Sequence, residues 1–427
     1  MPQSAHDSPT DFAFRNGELI LTRGQVEIRV VGWPDPRAAW RRQSGDELKP
    51  YNPDFRLVHP YRRRARQRGG QAKSVGQLCF DFHEQLYSPA PPEQLSPNRR
   101  RERAFDQFRF SLPKPVAKVI EPFQTNQWPL LVMLYHDPGA LELANSNPAL
   151  AFFLAQRFNG DVEMIASLKC SSMRQRDLLE LLDFENSKRA AKCLSKVDPA
   201  SLSGDNWDAV LNVLARQLRL PKSVLTHLPS INAGVISVLE NPLVKQHASV
   251  PLLTEISETP SERYRARVAH LISSTLEMQD GLSGAIEVPE QFTSVERLEE
   301  IHNEVAEHYR RRLKQLAEAS QSESEQFRNP PIPGIPGKIE PITSARALVD
   351  EGEAQHNCVA SYAKYVREGS RFIYRVLEPE RATLSIERRN REASWFVSEL
   401  EARYNTPVAE ETEDFVAAWL DRNLAFI

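Results

Sequence analysis

The chain has little cysteine. Cys79, Cys170, Cys193 and Cys358 stand far apart among 427 residues and form no CxxC pair. That spacing excludes a disulfide framework and a cysteine-rich zinc module, and isolated thiols point to a reducing compartment. Long hydrophobic runs are missing too. The most apolar stretches, residues 128–135 and 149–155, fall well short of the roughly 20 residues that span a bilayer. The opening MPQSAHDSPTDFAF has neither a charged start nor an apolar stretch, so no signal peptide is expected. Charge of one sign is also lacking: 54 Lys and Arg face 57 Asp and Glu, for a formal net charge of -3. Without a global field, any nucleic-acid binding requires a local basic patch. Together these absences predict a cytoplasmic protein with no membrane contact.

What is present fits a globular chain of two or three domains, with 41% hydrophobic and 26% charged residues. The expected fold class is α+β multidomain: a mostly α-helical array followed by a small α+β domain with a three-stranded antiparallel sheet. Residues 1–115 read as a hairpin plus a basic, proline-rich irregular region. In the hairpin, two apolar-alternating runs flank Thr22, Arg23 and Gly24. Residues 116–285 read as the helical array. There Val210, Leu211, Leu214 and Leu218 share one helical face, and prolines punctuate the segment. Residues 286–338 read as a long charged helix from Ser294 to Ala319 and a polar, proline-rich linker, SQSESEQFRNPPIPGIPGK. Residues 339–427 form the α+β domain. Ser344 caps a helix, a second helix starts near His356, and strands follow at 371–377, 382–387 and 394–403. A helix over 411–423 closes it.

Within this last segment the run IEPITSARALVDEGEAQHNCVASYAKYVREGSRFIYRV continues into RATLSIE, WFVSELEARYN and VAAWL. It resembles the PcfJ-like family. The family's acidic-glycine step falls on Glu351-Gly352, and its His/Cys-Val-x-x-Tyr helix start on His356, Cys358, Val359 and Tyr362. Its Arg-x-Thr strand falls on Arg381 and Thr383, and its late Asn on Asn405. Upstream pieces such as RQRDLLELLDF and HLPSINAGVISVL look like the helical region before this domain in relatives, so the resemblance covers most of 125–427. The chain departs from the pattern at Glu399 and Ala402, where relatives often carry Gln and Gly. Because members recur on plasmids and other mobile elements, the resemblance implies an accessory or interaction protein whose partner is nucleic acid or a mobile-element protein.

Two constellations can carry chemistry. A cysteine at a helix start has its thiolate favoured by free N–H groups and the dipole, and a neighbouring imidazole can activate it. His356 and Cys358 are two apart, so they meet only if His356 lies in the cap. Cys358 and Tyr362 share a face, and the sheet can add Arg381, Thr383, Glu399 and Asn405 to give an anion-binding or acid/base pocket. The structural alternative is a packed thiol beside a capping histidine. No metal and no cofactor are expected, since His356 and Cys358 offer two ligands where structural zinc needs four. The second constellation is basic. Arg62, Arg63, Arg64 and Arg66, with Arg99, Arg100 and Arg101, form clusters suited to phosphate. Residues 175–197 outline a helix-turn-helix that presents Lys188, Arg189 and Lys192. The alternative for each is a solvated or intramolecularly paired face.

Overall fold

The structure, a computed structural model, describes residues 11–42, 46–60, 96–159, 164, 170, 172–202, 207–259, 262–282, 286–319, 326–388 and 395–424. The chain divides into two compact units, residues 1–240 and 241–427.

In the first unit the expected hairpin is part of a larger antiparallel meander. Strands β1 (Asp11–Arg15), β2 (Glu18–Arg23), β3 (Val26–Val31), β4 (Arg37–Arg41) and β5 (Lys49–Pro50) follow in sheet order. The β1–β2 link is Asn16-Gly17, both at positive φ, the pair that a two-residue hairpin turn selects. Part of the stretch read as irregular is therefore ordered. β4 lies between prolines and is too short to show clear alternation. Helix α1 (Pro97–Ser111) hides Ala104, Phe105 and Phe108 among its arginines. It packs on the sheet, with the Phe12 and Phe105 rings 5.7 Å apart.

Helices α2 (Lys114–Ile120), α3 (Gln127–His136), α4 (Gly139–Ser146), α5 (Pro148–Arg157), α6 (Gln175–Glu180), α7 (Lys188–Leu194), α8 (Trp207–Leu218) and α9 (Ala233–Glu240) complete the unit. Their starts follow ordinary capping chemistry. Asn147 accepts from the Leu150 N–H and Ser187 from the Ala190 N–H.

The second unit opens with α10 (Pro242–His247) and α11 (Val250–Glu258), then pairs the long helices α12 (Glu262–Gly281) and α13 (Val295–Ala319). Val268, Leu271, Ile272 and Thr275 of α12 are buried at helical spacing, as are Leu298, Ile301, His302 and Val305 of α13. Gly281 lets the helices close, since a Cβ there would lie 2.6 Å from the Tyr309 ring. His302 is sealed in this seam beside Thr275 Oγ1, at 3.0 Å. Burial, then the charges of His270 and Arg267, bring its pKa down to about 3 and keep it neutral.

After α13 come β6 (Ile339–Pro341), α14 (Ala345–Gln355), a 3-10 turn over Val359–Tyr362, α15 (Ala363–Glu368), β7 (Arg371–Val376), β8 (Ala382–Glu387), β9 (Phe396–Ala402), β10 (Thr406–Pro407) and α16 (Glu410–Leu424). The sheet has five antiparallel strands, in the order β10-β9-β8-β7-β6, and not the expected three. The two additions are edge strands of three and two residues, too short to carry a period-two pattern. The central three occupy the predicted positions, and the middle one, β8, carries the alternation read from the sequence.

One sheet face is apolar. Phe372, Tyr374 and Val376 pair across to Ile386, Leu384 and Ala382, and Leu400 and Ala402 extend the layer to β9. Val416, Trp419 and Leu420 of α16 cover it. So does the part of the proline-rich tract beyond residue 325, which was expected to be a linker. Ile332 is fully buried. Tyr374 Oη donates to the Ile332 carbonyl at 2.8 Å, and Trp419 Nε1 donates to the Pro333 carbonyl at 3.1 Å. Prolines have no N–H to offer a ladder, so aromatic donors hold their segment by its carbonyls. Gly334 is required here, because a Cβ would sit 2.2 Å from the Ile339 carbonyl oxygen. No helix among the described residues is long and apolar enough to cross a membrane.

Candidate acid–base site

The opposite face of the same sheet is polar. Arg375 pairs with Thr383, Thr383 with Glu401, and Ser385 with Glu399, so these side chains project to one side. A register shift after Ser385 inserts Ser398 as a bulge: Ser385 faces Glu399 while Ile386 faces Val397. Val397 therefore packs with the apolar core although Glu399, two residues on, points to the polar side. Ser398 Oγ secures the bulge by donating to the Ser385 carbonyl at 3.1 Å.

Two clusters occupy the polar face. In the first, Glu351 of α14 is 1% exposed and receives Arg375 Nε at 2.9 Å, Arg381 Nη2 at 2.5 Å and Thr383 Oγ1 at 2.8 Å. Asn357 Nδ2 donates to Thr383 Oγ1 at 3.0 Å and continues the network. A buried carboxylate with this many charged and neutral donors fixes α14 on β7 and β8.

The second cluster centres on Glu399. Tyr362 Oη donates to it, 2.9 Å from Oε2 and 3.1 Å from Oε1. His270 Nε2 of α12 lies 2.9 Å from Glu399 Oε1 and 2.8 Å from Tyr362 Oη. Arg371 Nη1 reaches Glu399 at 3.4 Å and Nη2 reaches Glu387 at 2.6 Å, with the guanidinium 4.2 Å above the Tyr362 ring. Burial alone would raise the Glu399 pKa, but the His270 charge and hydrogen bond, Arg371 and the Tyr362 hydroxyl bring it down to about 2. Burial likewise works against a charged His270, yet Glu399 outweighs it and the imidazole pKa is raised. Glu399 is ionised at neutral pH, and its charge favours the imidazolium form of His270. Glu399 is 19% exposed and His270 34%, and both line a cleft of about 830 Å³ that runs along β9 toward α16.

The family model described as PcfJ-like protein matches residues 273–416. The C-terminal region is PcfJ-like. No match was found among curated proteins or among solved structures. The matched span runs from within α12 to within α16 and holds both clusters except His270, which lies three residues before it.

In the PcfJ-like region the expected site residues sort into three places. Cys358, Tyr362, Thr383, Glu399 and Asn405 line one small recess, of about 10 Å³, that adjoins the cleft. Arg381 belongs to the Glu351 cluster and donates also to the Ala382 carbonyl. His356 stands apart. It ends α14 in the left-handed conformation, φ 53°, stacks on Tyr404 with centroids 4.6 Å apart, and meets Arg403 Nη2 at 2.8 Å.

The activated His–Cys pair is therefore corrected. Cys358 lies before the 3-10 turn, its Sγ 3.8 Å from Tyr362 Oη, and burial with the Glu399 charge pushes the thiol up to about 12. A thiol held neutral in this way is a weak nucleophile at neutral pH. No group of three or more His, Cys, Asp and Glu among the described residues is placed to hold a metal.

Of the basic residues, Arg62, Arg63, Arg64 and Arg66 lie outside the described residues. Arg100 pairs with Asp11 at 3.3 Å, and Arg101 lies over the Phe12 and Phe105 rings. Arg189 caps the end of α8 through the Leu218 and Pro221 carbonyls. Arg99, Lys188 and Lys192 are exposed.

The sequence reading missed His270, Arg371 and Glu351 as site members. His270 is one polar residue on a long amphipathic helix, and only the tertiary fold brings it to β9. Glu351 carried a usable signal, a charged residue three after Leu348 at a position that the helical period assigns to the interior, whereas Arg371 alternates with Phe372 and Tyr374 onto the polar face and carried none.

Proposed function

We propose that the PcfJ-like region, together with the part of α12 that carries His270, is an enzyme module that works by acid–base chemistry at the floor of the cleft. His270 is the proton donor, Glu399 the carboxylate that keeps it charged, and Tyr362 and Arg371 position that carboxylate. One observation carries this reading. Side chains from α12, the 3-10 turn, β7 and β9 converge on an ionised, largely buried carboxylate beside an open cleft. As a stabiliser alone, such a network is an expensive choice, because well-packed apolar residues of similar volume usually serve as well or better. A general acid must carry its proton at working pH and be reachable, and the raised pKa and partial exposure of His270 supply both.

The test is turnover of a chromogenic panel of esters, phosphodiesters and glycosides. Wild-type activity on one class should fall about 10²–10⁴-fold in His270→Asn, the usual contribution of a positioned acid. Equal rates in the folded variant would remove His270 from the chemistry.

A second reading follows from the resemblance to proteins of plasmids and phages: an accessory protein that contacts nucleic acid. Lys188 and Lys192, exposed four residues apart on α7, and the exposed Arg99 support it. A salt-dependent mobility shift lost on alanine replacement of these three and Arg62–Arg64 would favour it. An unchanged mobility at low salt would count against it.

A further inference from the structure

Two turns of the PcfJ-like region put an aromatic ring where the backbone favours glycine. His356 closes α14 at φ 53° and ψ 45°, the left-handed position that glycine usually takes after a helix. Tyr404 and Asn405, at φ 61° and 57°, lie in the short link from β9 to β10, and consecutive left-handed residues in such a link are usually asparagine and glycine. Asparagine accepts that conformation readily, and a bulky tyrosine does not. Both exceptions serve one contact: the His356 and Tyr404 rings stack with centroids 4.6 Å apart and planes 20° from parallel. Strain held in two turns to build one stack at the surface points to use and not to packing.

The stack is one-sided. Tyr404 is 60% exposed, the most open of the large hydrophobic side chains among the described residues. Arg403 Cζ stands 5.1 Å from the Tyr404 centroid, while Nη2 donates to His356 Nε2 at 2.8 Å. The second distance ties the guanidinium to the His356 side of the tyrosine ring, so neither group covers the opposite face. Arg403 is itself exposed, spends one N–H on the imidazole and has no carboxylate partner among the described residues. An open aromatic face thus has a guanidinium at its margin.

That corner suits a nucleotide. Every base has a π-face, and stacking on an aromatic side chain is a common way to hold one outside a duplex. The guanidinium fork matches phosphate, whereas a phenyl or indole ring would use the tyrosine and leave the arginine idle. We infer that Tyr404 and Arg403, backed by His356, form a binding site for a nucleotide, its base on the open tyrosine face and its phosphate on the guanidinium. None of the three side chains lines the cleft or the recess, so the inference goes beyond the acid–base reading and stands without it. It is equally independent of the basic residues of α7.

The experiment uses the full chain and 2-aminopurine riboside 5′-monophosphate, whose fluorescence is quenched when the base stacks. Saturable quenching is expected. Affinity should fall about 10-fold or more in Tyr404→Ala, the usual worth of one stacked base, and be kept in Tyr404→Phe, which separates a lost platform from a lost fold. Arg403→Gln should weaken the monophosphate about 5-fold and leave the unphosphorylated riboside unchanged. Competition identifies the source. A free nucleotide is taken if AMP displaces the probe as well as a short oligoadenylate does, and a strand if the oligoadenylate competes better than its number of bases accounts for. No saturable quenching, or quenching that Tyr404→Ala leaves unchanged, would overturn the inference. So would displacement by ribose 5-phosphate or N-acetyltryptophanamide as effective as that by AMP. His270→Asn should abolish turnover and leave nucleotide binding in place, so failures of the two readings are told apart.

Discussion

Replacing Glu399 by Gln tests the centre of the site with a change that removes charge and almost nothing else. A carboxyl brought from 4.5 to about 2 is worth about 3 kcal/mol to the folded state at neutral pH, at about 1.4 kcal/mol per pH unit. Glu399 is 19% exposed, so solvent screening leaves most of that figure intact. The sign follows from the lowered folded pKa. The stabilisation is fully present above 4.5 and is lost as pH falls through about 2, because the unfolded chain takes up its proton first. Glutamine resembles the protonated acid. Glu399→Gln should therefore be less stable than wild type by about 3 kcal/mol at pH 7, and the two should converge as pH falls through that window. Urea unfolding followed by ¹⁹F NMR of 5-fluorotryptophan-labelled protein reads this sheet through Trp395 and Trp419, both buried in its core. His270 provides an independent check. Its imidazole should titrate above 6.5 in wild type and below 6.5 in the variant, where burial and the Arg371 charge are opposed only by the smaller effect of Glu401. A deficit that stays constant between pH 7 and pH 2, or an imidazole pKa that does not move, would refute the coupling of these two residues.

Glu351→Ala should cost about 1–3 kcal/mol, because it removes the acceptor that Thr383 and the two part-exposed arginines Arg375 and Arg381 share. Urea denaturation measures it, and a loss below about 1 kcal/mol would show that the arginines find water instead. Cys358, with its thiol pushed up to about 12, should resist iodoacetamide at pH 8 until the chain is unfolded. Mass spectrometry of the 357–367 peptide decides it, and rapid modification of the native protein would restore the thiol as a candidate nucleophile.

The sequence made legible what depends on local periodicity. Alternation marked β7 and β8, and the cap at Ser344 marked α14, whose side chain accepts from the Ala347 N–H. What it concealed depends on tertiary pairing. β6 and β10 exist only because neighbouring strands offer an edge. The tract around Ile332 reads as a linker from its prolines, and it is packed because Tyr374 and Trp419 supply donors from distant positions. The grouping of Cys358, Tyr362, Thr383, Glu399 and Asn405 in one recess could be anticipated from the resemblance, because all five belong to one sheet and the turn beside it. His356 could not be placed in the same way. Its left-handed backbone turns the ring away from Cys358 and onto Tyr404, itself at φ 61° and 60% exposed.

Glu399 and Ala402, the positions where the resemblance leads one to expect Gln and Gly, bear differently on the chemistry. Ala402 in place of Gly adds one methyl to the apolar layer, where it is 8% exposed, so it changes packing on the face away from the site. Glu399 in place of Gln is different in kind. A glutamine there can still accept from Tyr362, but it cannot hold an imidazolium at His270 or balance Arg371. The ion pair thus depends on the carboxylate, whereas the Tyr362 hydrogen bond is one that either residue can make. Alternation with Leu400, which faces Leu384 in the core, sets Glu399 on the polar face, and the bulge at Ser398 returns Val397 to the apolar side beyond it. Glu399→Gln therefore does more than remove a charge. It installs the residue that the resemblance leads one to expect, and any activity that survives it must come from chemistry that the tyrosine, the threonine and Asn405 support without the ion pair.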